Sequence, residues 1–314
     1  MPTSTSAQTA PVLETRAMAR GGIAAGMGAY LTWGFLPLYF LVLDSVSPLE
    51  IVASRIIWSL CLLLVILTLR GTLGHFGQIL NDGRVMLTLA ATSALIAINW
   101  LVYIWAVHDN HVVAASLGYF LNPLANVLLG FVVLKERLRR LQWMALALTT
   151  IGVAMMAVSA LDTIWISLAL AASFSLYGLI RKMAPVTALQ GLAAETLILA
   201  PFSLAYMGWL AAAGSLAFGA NPMTTGLLVL SGVVTSVPLL LFAVAAKRMT
   251  YSTLGLLQYI APTLQLLLGV LVFGETLTAG QLSSFGLIWA GLILYSTASL
   301  HQARAEQNAL PGIE

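Results

Sequence analysis

Apolar residues run along this chain in long blocks, each about the 20 residues that a helix needs to cross hydrocarbon. The pattern predicts spans over 21–43, 48–69, 85–107, 112–134, 141–159, 161–180, 188–212, 224–246, 251–273 and 280–299. The connections are too short for a soluble domain, and the stretch after Leu300 is polar. Residues 1–20 are rich in serine, threonine and alanine and end in Arg16 and Arg20. The block that follows exceeds the roughly 7–15 residues of a signal sequence and has no convincing cleavage site after it, so it reads as a retained first span.

Two blocks are related. A shift of 139 positions lays residues 112–138 on 251–277, matching Leu117 with Leu256, Pro123 with Pro262, Gly130 with Gly269 and Glu136 with Glu275. Each block carries a proline near mid-depth with amide and phenol side chains beside it. In hydrocarbon such a proline is tolerated where the freed carbonyl finds a partner or lines a cavity. Paired interruptions in two halves of a chain point to a transporter's binding site.

Composition places the whole chain in a membrane: 60% of residues are hydrophobic and 8% charged, against roughly a quarter charged in soluble domains. The net charge of +3 does not imply nucleic acid, because the basic residues are distributed by topology. With a cytoplasmic amino terminus, every lysine and arginine except Arg55 falls on the inner side, including Lys135, Arg181, Lys182, Lys247 and Arg248, as the positive-inside rule requires. Five spans is an odd number, so the second copy of a five-span unit enters from the opposite face. Accordingly, inner Lys135 and Arg137 fall on uncharged outer positions in the second copy, and outer His108 falls on inner Lys247. The expected fold is an all-α integral membrane protein of ten transmembrane helices in two inverted five-helix repeats, residues 21–159 and 160–299. Cytoplasmic tails at 1–20 and 300–314 flank them. Cys61 is the one cysteine; it excludes an internal disulfide and is expected to be a small buried filler.

Several stretches together resemble the drug/metabolite transporter superfamily, built from EamA-type repeats, and within it the RarD-type transporters. They are Trp33-Gly34 with Pro37 and Tyr39, Glu50 with Arg55 and Trp58-Ser59, Asn99-Trp100, and Ala115 through Pro123. In the second half they are Tyr177 with Arg181-Lys182, Glu195-Thr196, Asn221-Pro222, Val237-Pro238, Leu254-Gly255 and Gln258-Tyr259 with Pro262. The resemblance implies an inner-membrane carrier of small metabolites or drugs with a central cavity lined by the third, fourth, eighth and ninth spans among others.

A charge within a span is costly and marks a functional candidate. Arg55 and Glu195 lie at matching positions of the two repeats when Ser47-Pro48-Leu49-Glu50 is laid on Thr187-Ala188-Leu189-Gln190. The functional reading makes Arg55 an anchor for a substrate carboxylate, since a guanidinium fork suits that group, and Glu195 a proton carrier. The alternative is a pair of packing charges. Substrate-binding candidates are Trp33, Arg55, Asn99, Trp100, Tyr119, Asn122, Gln258 and Tyr259, with Asn126 and Gln265 beside them; Pro123 and Pro262 are expected to shape helices. Glu50 reads as a helix-end acid, and Glu136 and Glu275 as interfacial or loop-binding acids. Gly22 and Gly26 form a small-residue face for close helix packing. His75, His108, His111 and His301 fall in connections or tails, which leaves no metal cluster.

The expected function is secondary transport of a small organic solute by alternating access, with export as the expected direction and protons as the candidate coupling ion. An uncoupled facilitator is the nearest alternative. A membrane enzyme is disfavoured because no Gly-x-Ser-x-Gly or His-Glu-x-x-His set occurs in a span, and a non-transporting scaffold would not need two interrupted spans. No cofactor is expected, since no phosphate-binding glycine loop calls for ATP. The partners are the solute and the lipid bilayer.

Overall fold

The computed structural model describes residues 21–108, 111–158, 162, 164–272 and 279–308, and no strand occurs among them. Helix α1 covers 21–34 and, after a turn at Phe35, α2 covers Leu36–Leu41. There follow α3 (Pro48–Leu69), α4 (Leu73–Asn81), α5 (Gly83–His108), α6 (Val112–Val132) and α7 (Arg140–Val158). The second half contains α8 (Ile164–Met183), α9 (Ala188–Ala212), α10 (Pro222–Arg248), α11 (Tyr251–Leu257), α12 (Ile260–Leu271) and α13 (Ala279–Asn308). Seven helical segments among the described residues are long and apolar enough to cross a membrane. Large apolar side chains such as Leu87, Phe202 and Leu271 stand exposed on the periphery, which suits hydrocarbon and would be a liability in water.

The helix ends follow local chemistry. Proline opens α3, α10 and, one residue in, α2, where its missing N–H would have had no partner in any case. A reciprocal capping box between Thr187 and Gln190 starts α9. The 251–273 block divides at Gln258–Tyr259 into α11 and α12, whereas α6 runs unbroken through Pro123.

Helix packing relies on the small residues. A Cβ on Gly22 would stand 2.9 Å from that of Arg248, and one on Gly26 would stand 3.1 Å from Leu257 Cδ1, so the expected small-residue face seats α1 against α10 and α11. An aromatic cluster of Tyr30, Trp33, Phe174, Tyr177 and Phe242 joins α1, α8 and α10.

Some sequence expectations need correction. Cys61 is exposed on the outer face of α3 and not buried, because the apolar solvent around a membrane helix erases the usual signal for which face points inward. The 70–84 connection is not plain loop: it holds α4, which carries His75 and buries Phe76 against the bundle. Arg181, assigned to an inner loop, is fully buried within α8. Glu50 is a helix-end acid as expected, in the first turn of α3, but it is buried there and accepts hydrogen bonds from the backbone N–H groups of Ala217 and Phe218 at 3.0 and 2.9 Å. It therefore ties the α9–α10 connection to α3. Helix α13 continues to Asn308, past the expected limit at 299. Arg16, Arg20 and Glu275 lie outside the described residues.

Candidate functional site

A cavity of about 510 Å³ lies in the bundle, within the usual range for small-molecule sites. It forms where helices are interrupted. The α1–α2 turn brings Trp33, Pro37 and Phe40 to it, and the α11–α12 break brings Gln258, Ala261, Pro262 and Gln265. Helix α3 supplies Arg55, α5 supplies Asn99, Trp100 and Tyr103, α6 supplies Tyr119, and α8 and α10 close it with Phe174 and Leu239. The cavity extends to the 42–47 connection, where Asp44 is exposed. Away from that connection, Tyr30 and Trp33 line it, and Tyr177 and Phe242 pack behind them.

The polar groups on its wall are held by specific bonds. Arg55 Nε donates to Thr235 Oγ1 at 2.7 Å. Its guanidinium carbon stands 5.3 Å from the Trp100 ring centroid and 5.8 Å from that of Phe40, within cation–π range. Asn99 Nδ2 donates to Leu170 O and Ser173 Oγ, both at 3.0 Å. Asn126 Nδ2 donates to Gln258 Oε1 at 2.9 Å, which leaves the Gln258 amide N–H₂ free of any partner among the described residues. Gln265 Nε2 donates to Trp33 O at 3.1 Å.

Of the candidates from sequence, Trp33, Arg55, Asn99, Trp100, Tyr119, Gln258 and Pro262 line this one cavity. Tyr259 does not; it is buried and donates to Phe120 O at 3.1 Å, joining α6 to the α11–α12 break. Asn122, beside Pro123 in α6, is fully buried away from the cavity, and neither amide atom has a hydrogen-bond partner among the described residues. The sequence reading missed Phe40, Tyr103, Thr235 and Asp44. Tyr103 had a signal, since it follows Asn99 by four residues and so shares its helix face.

Glu195 sits behind the cavity in a buried polar cluster. Thr92 Oγ1 donates to its Oε1 at 2.6 Å and the Tyr177 hydroxyl to its Oε2 at 3.2 Å. Arg181 Nε lies 3.4 Å from Oε1, an ion-pair distance rather than a well-aligned hydrogen bond, while Arg181 Nη2 donates to Ala188 O at 3.1 Å. A crevice of about 10 Å³, bordered by Arg55, Trp100, Tyr177, Glu195 and Thr235, separates the cluster from the cavity. That is room for about one water molecule.

The end of the bundle rich in lysine and arginine is laced shut. Lys182 Nζ donates to Ala246 O and Met249 O at 2.7 and 2.6 Å, and Lys247 Nζ donates to Ala184 O and Val186 O. Glu136 accepts from Tyr251 N (2.6 Å), Ser252 N (3.0 Å) and Ser252 Oγ (2.6 Å), so it binds the first turn of α11 where an interfacial or loop-binding acid is expected. No histidine, cysteine or carboxylate cluster suited to a metal occurs among the described residues.

Residues 20–158 match the profile of the EamA-like transporter family. A transporter of Pseudomonas aeruginosa with no characterised function is 44% identical over 88% of this chain and 93% of its own length. Proteins named RarD from Streptomyces exfoliatus and Escherichia coli are 42% and 38% identical, each covering more than nine-tenths of both sequences. The chain belongs to the EamA-like transporter family. Within it the full-length relatives named RarD make this a RarD-type member, a multi-pass membrane protein. A solved crystal structure 19% identical in sequence superposes with a TM-score of 0.66, covering 88% of this chain and 98% of that one; the likeness extends to the fold.

Proposed function

We propose that this EamA-family protein is a secondary transporter that moves a small organic solute across the inner membrane by alternating access, exporting it in exchange for protons. It is built as ten spans in two inverted five-helix repeats, residues 21–159 and 160–299, with both termini cytoplasmic. The observation that carries the reading is the cavity at helix interruptions, walled by residues of both halves, which is where transporters of inverted repeats bind their solutes. The packing supports the repeat. Numbering spans one to ten, span two (α3) packs on span eight (α10) and span seven (α9) on span three (α5); exchanging the halves turns the first pair into the second. The same exchange relates the packing of α5 on α8 to that of α1 on α10. With the basic end inside, the conformation has its cavity open outward and its cytoplasmic end closed.

In this reading Arg55, Trp100, Trp33, Asn99, Tyr119 and Gln258 contact solute, Asn122 and Tyr259 support the moving α6–α11 contact, and Pro123 and Pro262 shape their helices. Glu195 is the candidate for proton coupling, reached through the crevice beside Arg55. A second reading, an uncoupled facilitator, is favoured by one observation. Glu195 already has Arg181, Thr92 and Tyr177 as partners, an arrangement that also suits a packing charge. Purified protein in sealed vesicles, given a pH gradient and a labelled panel of organic acids, amines and amino acids, separates the two. Flux that needs the gradient and vanishes in Glu195→Gln supports coupling. Flux that ignores both supports the facilitator, and folded protein that moves nothing in the panel counts against transport.

A further inference from the structure

The charges buried in this bundle do not balance. Of the groups around the cavity and the cluster behind it, Glu195 and Arg181 neutralise each other at 3.4 Å, while Arg55 pairs with no described carboxylate. Among the described residues its one hydrogen-bond partner is a neutral hydroxyl, Thr235 Oγ1. Glu195 faces the same crevice but is occupied by its own arginine. Asp44 lines the far rim, beyond Pro48, and the seven residue steps of α3 from Pro48 to Arg55 rise roughly 10 Å. Exposed there, it is screened by water and ions over about that distance.

An arginine held this way, on the wall of the cavity, keeps the outer nitrogens of its guanidinium available to a ligand. Nε is spent on Thr235, and the flat faces of Trp100 and Phe40 flank the group. The aromatic faces restrain a cation without neutralising it. The remaining nitrogens form the planar fork that matches a carboxylate. Elsewhere on the wall, Gln258 contributes a free amide N–H₂ and the aromatic residues Trp33, Tyr103 and Tyr119 contribute flat, largely apolar surface.

Resting on the transport reading above, we propose that the solute is a small organic anion, a monocarboxylate with a planar or branched apolar body. Its carboxylate seats on Arg55 and its body lies against Trp100, Trp33 and Tyr119. A cationic solute would meet Arg55 unshielded, and a neutral one would leave the guanidinium uncompensated. A compact solute suits the 510 Å³ available. Organic phosphates with several charges suit the site poorly, because Arg55 is the one cation among the described residues that line it.

The test uses four probes of one shape: phenylacetate, 2-phenylethanol, 2-phenylethylamine and phenylalanine. Binding to purified full-length protein is followed by the fluorescence of the cavity tryptophans and by the shift in unfolding temperature, at fixed pH and salt. Phenylacetate is expected to bind at least about tenfold more tightly than phenylethanol, the discrimination a charge-assisted bond supplies, and phenylethylamine more weakly still. In Arg55→Gln that ratio falls to about one while phenylethanol binding is retained, and Arg55→Lys recovers part of it. Equal or tighter binding of the alcohol or amine by wild type overturns the proposal, as does a carboxylate preference that survives Arg55→Gln, or folded protein that binds none of the four. Tighter binding of phenylalanine than of phenylacetate also counts against it, by showing that an ammonium site completes the pocket. Vesicle flux of the same probes keeps the two claims apart. Phenylacetate that binds but does not cross defeats transport and leaves the charge preference standing; an amine that crosses while phenylacetate is excluded does the reverse.

Discussion

Gly191 decides whether Arg181 can be buried. It lies in the first turn of α9, and a Cβ built on it would stand 1.6 Å from Arg181 Nη1, 2.6 Å from Cζ and 2.9 Å from Nη2. Gly191→Ala therefore cannot coexist with the present guanidinium position. The arginine must leave, giving up Glu195 at 3.4 Å and Ala188 O at 3.1 Å, in a region where its side chain has no exposure. Disrupting a buried ion pair so that one charge is stranded costs about 3–5 kcal/mol. Alanine returns about 1 kcal/mol over glycine through helix propensity. The net expectation is a loss of about 2–4 kcal/mol, read as a fall of several degrees in the unfolding midpoint of detergent-solubilised protein by circular dichroism, with less monodisperse material on size exclusion.

The same substitution in an Arg181→Ala/Glu195→Gln background isolates the cause. There the clash partner is gone, the paired charge is neutral and the added methyl group enters vacated space. Gly191→Ala is then expected to leave the midpoint unchanged or raise it. The reasoning is refuted if Gly191→Ala unfolds at the wild-type midpoint, or if the loss is equally large in the double-variant background, which would make Gly191 important for reasons unrelated to Arg181.

Two further outcomes follow from the hydrogen bonds. Glu136→Ala removes the acceptor of three bonds at the closed end, about 3 kcal/mol in a set that is not additive; alkylation of a cysteine placed at Thr253 in a Cys61→Ser background should rise severalfold, and an unchanged rate would show that the latch does not hold that end shut. Asn122→Leu replaces an amide with no partner by an apolar group of similar size, so the midpoint should hold or rise by about 1 kcal/mol equivalent while solute flux drops; a sharp fall in midpoint would show that the amide is satisfied in the folded protein.

What the sequence discloses depends on which solvent writes the pattern. Helix positions were legible because a helix in hydrocarbon must be apolar along its whole length: all ten expected blocks contain helical residues among those described, and seven described helices are long and apolar enough to span. Facing was not. Cys61 and Leu63 lie in the same apolar run, one exposed and one buried, since both faces of α3 meet apolar surroundings. Most of the cavity could be found because polar side chains inside spans are few. The failures come from residues whose type fits two settings. Arg181 beside Lys182 looks like a loop pair, and only the glycine facing it from α9 makes room for it in the interior. Asn122 and Gln258 are both amides ahead of a proline, one residue before Pro123 and four before Pro262, yet Gln258 reaches the cavity because the chain breaks at Gln258–Tyr259, while α6 continues helical through Asn122.

The positions of Arg55 and Glu195 carry the argument from fold to use. Under the proposed repeat they are equivalent, on spans two and seven. Each takes a hydrogen bond partner from a threonine on the span that the exchange of halves would select: Arg55 from Thr235 on span eight, Glu195 from Thr92 on span three. The shared frame thus reaches down to the hydroxyl that steadies each charge. The difference lies in what stands opposite. Glu195 has a cation of its own in Arg181, admitted by Gly191. At Arg55 the corresponding counter-charge is missing from the described residues, and cavity occupies the space. Under the proposed repeat, one charge is closed by the protein and its mate is left for something else to close. That asymmetry favours reading Arg55 as the solute contact and the Glu195 cluster as the wall against which the solute is held.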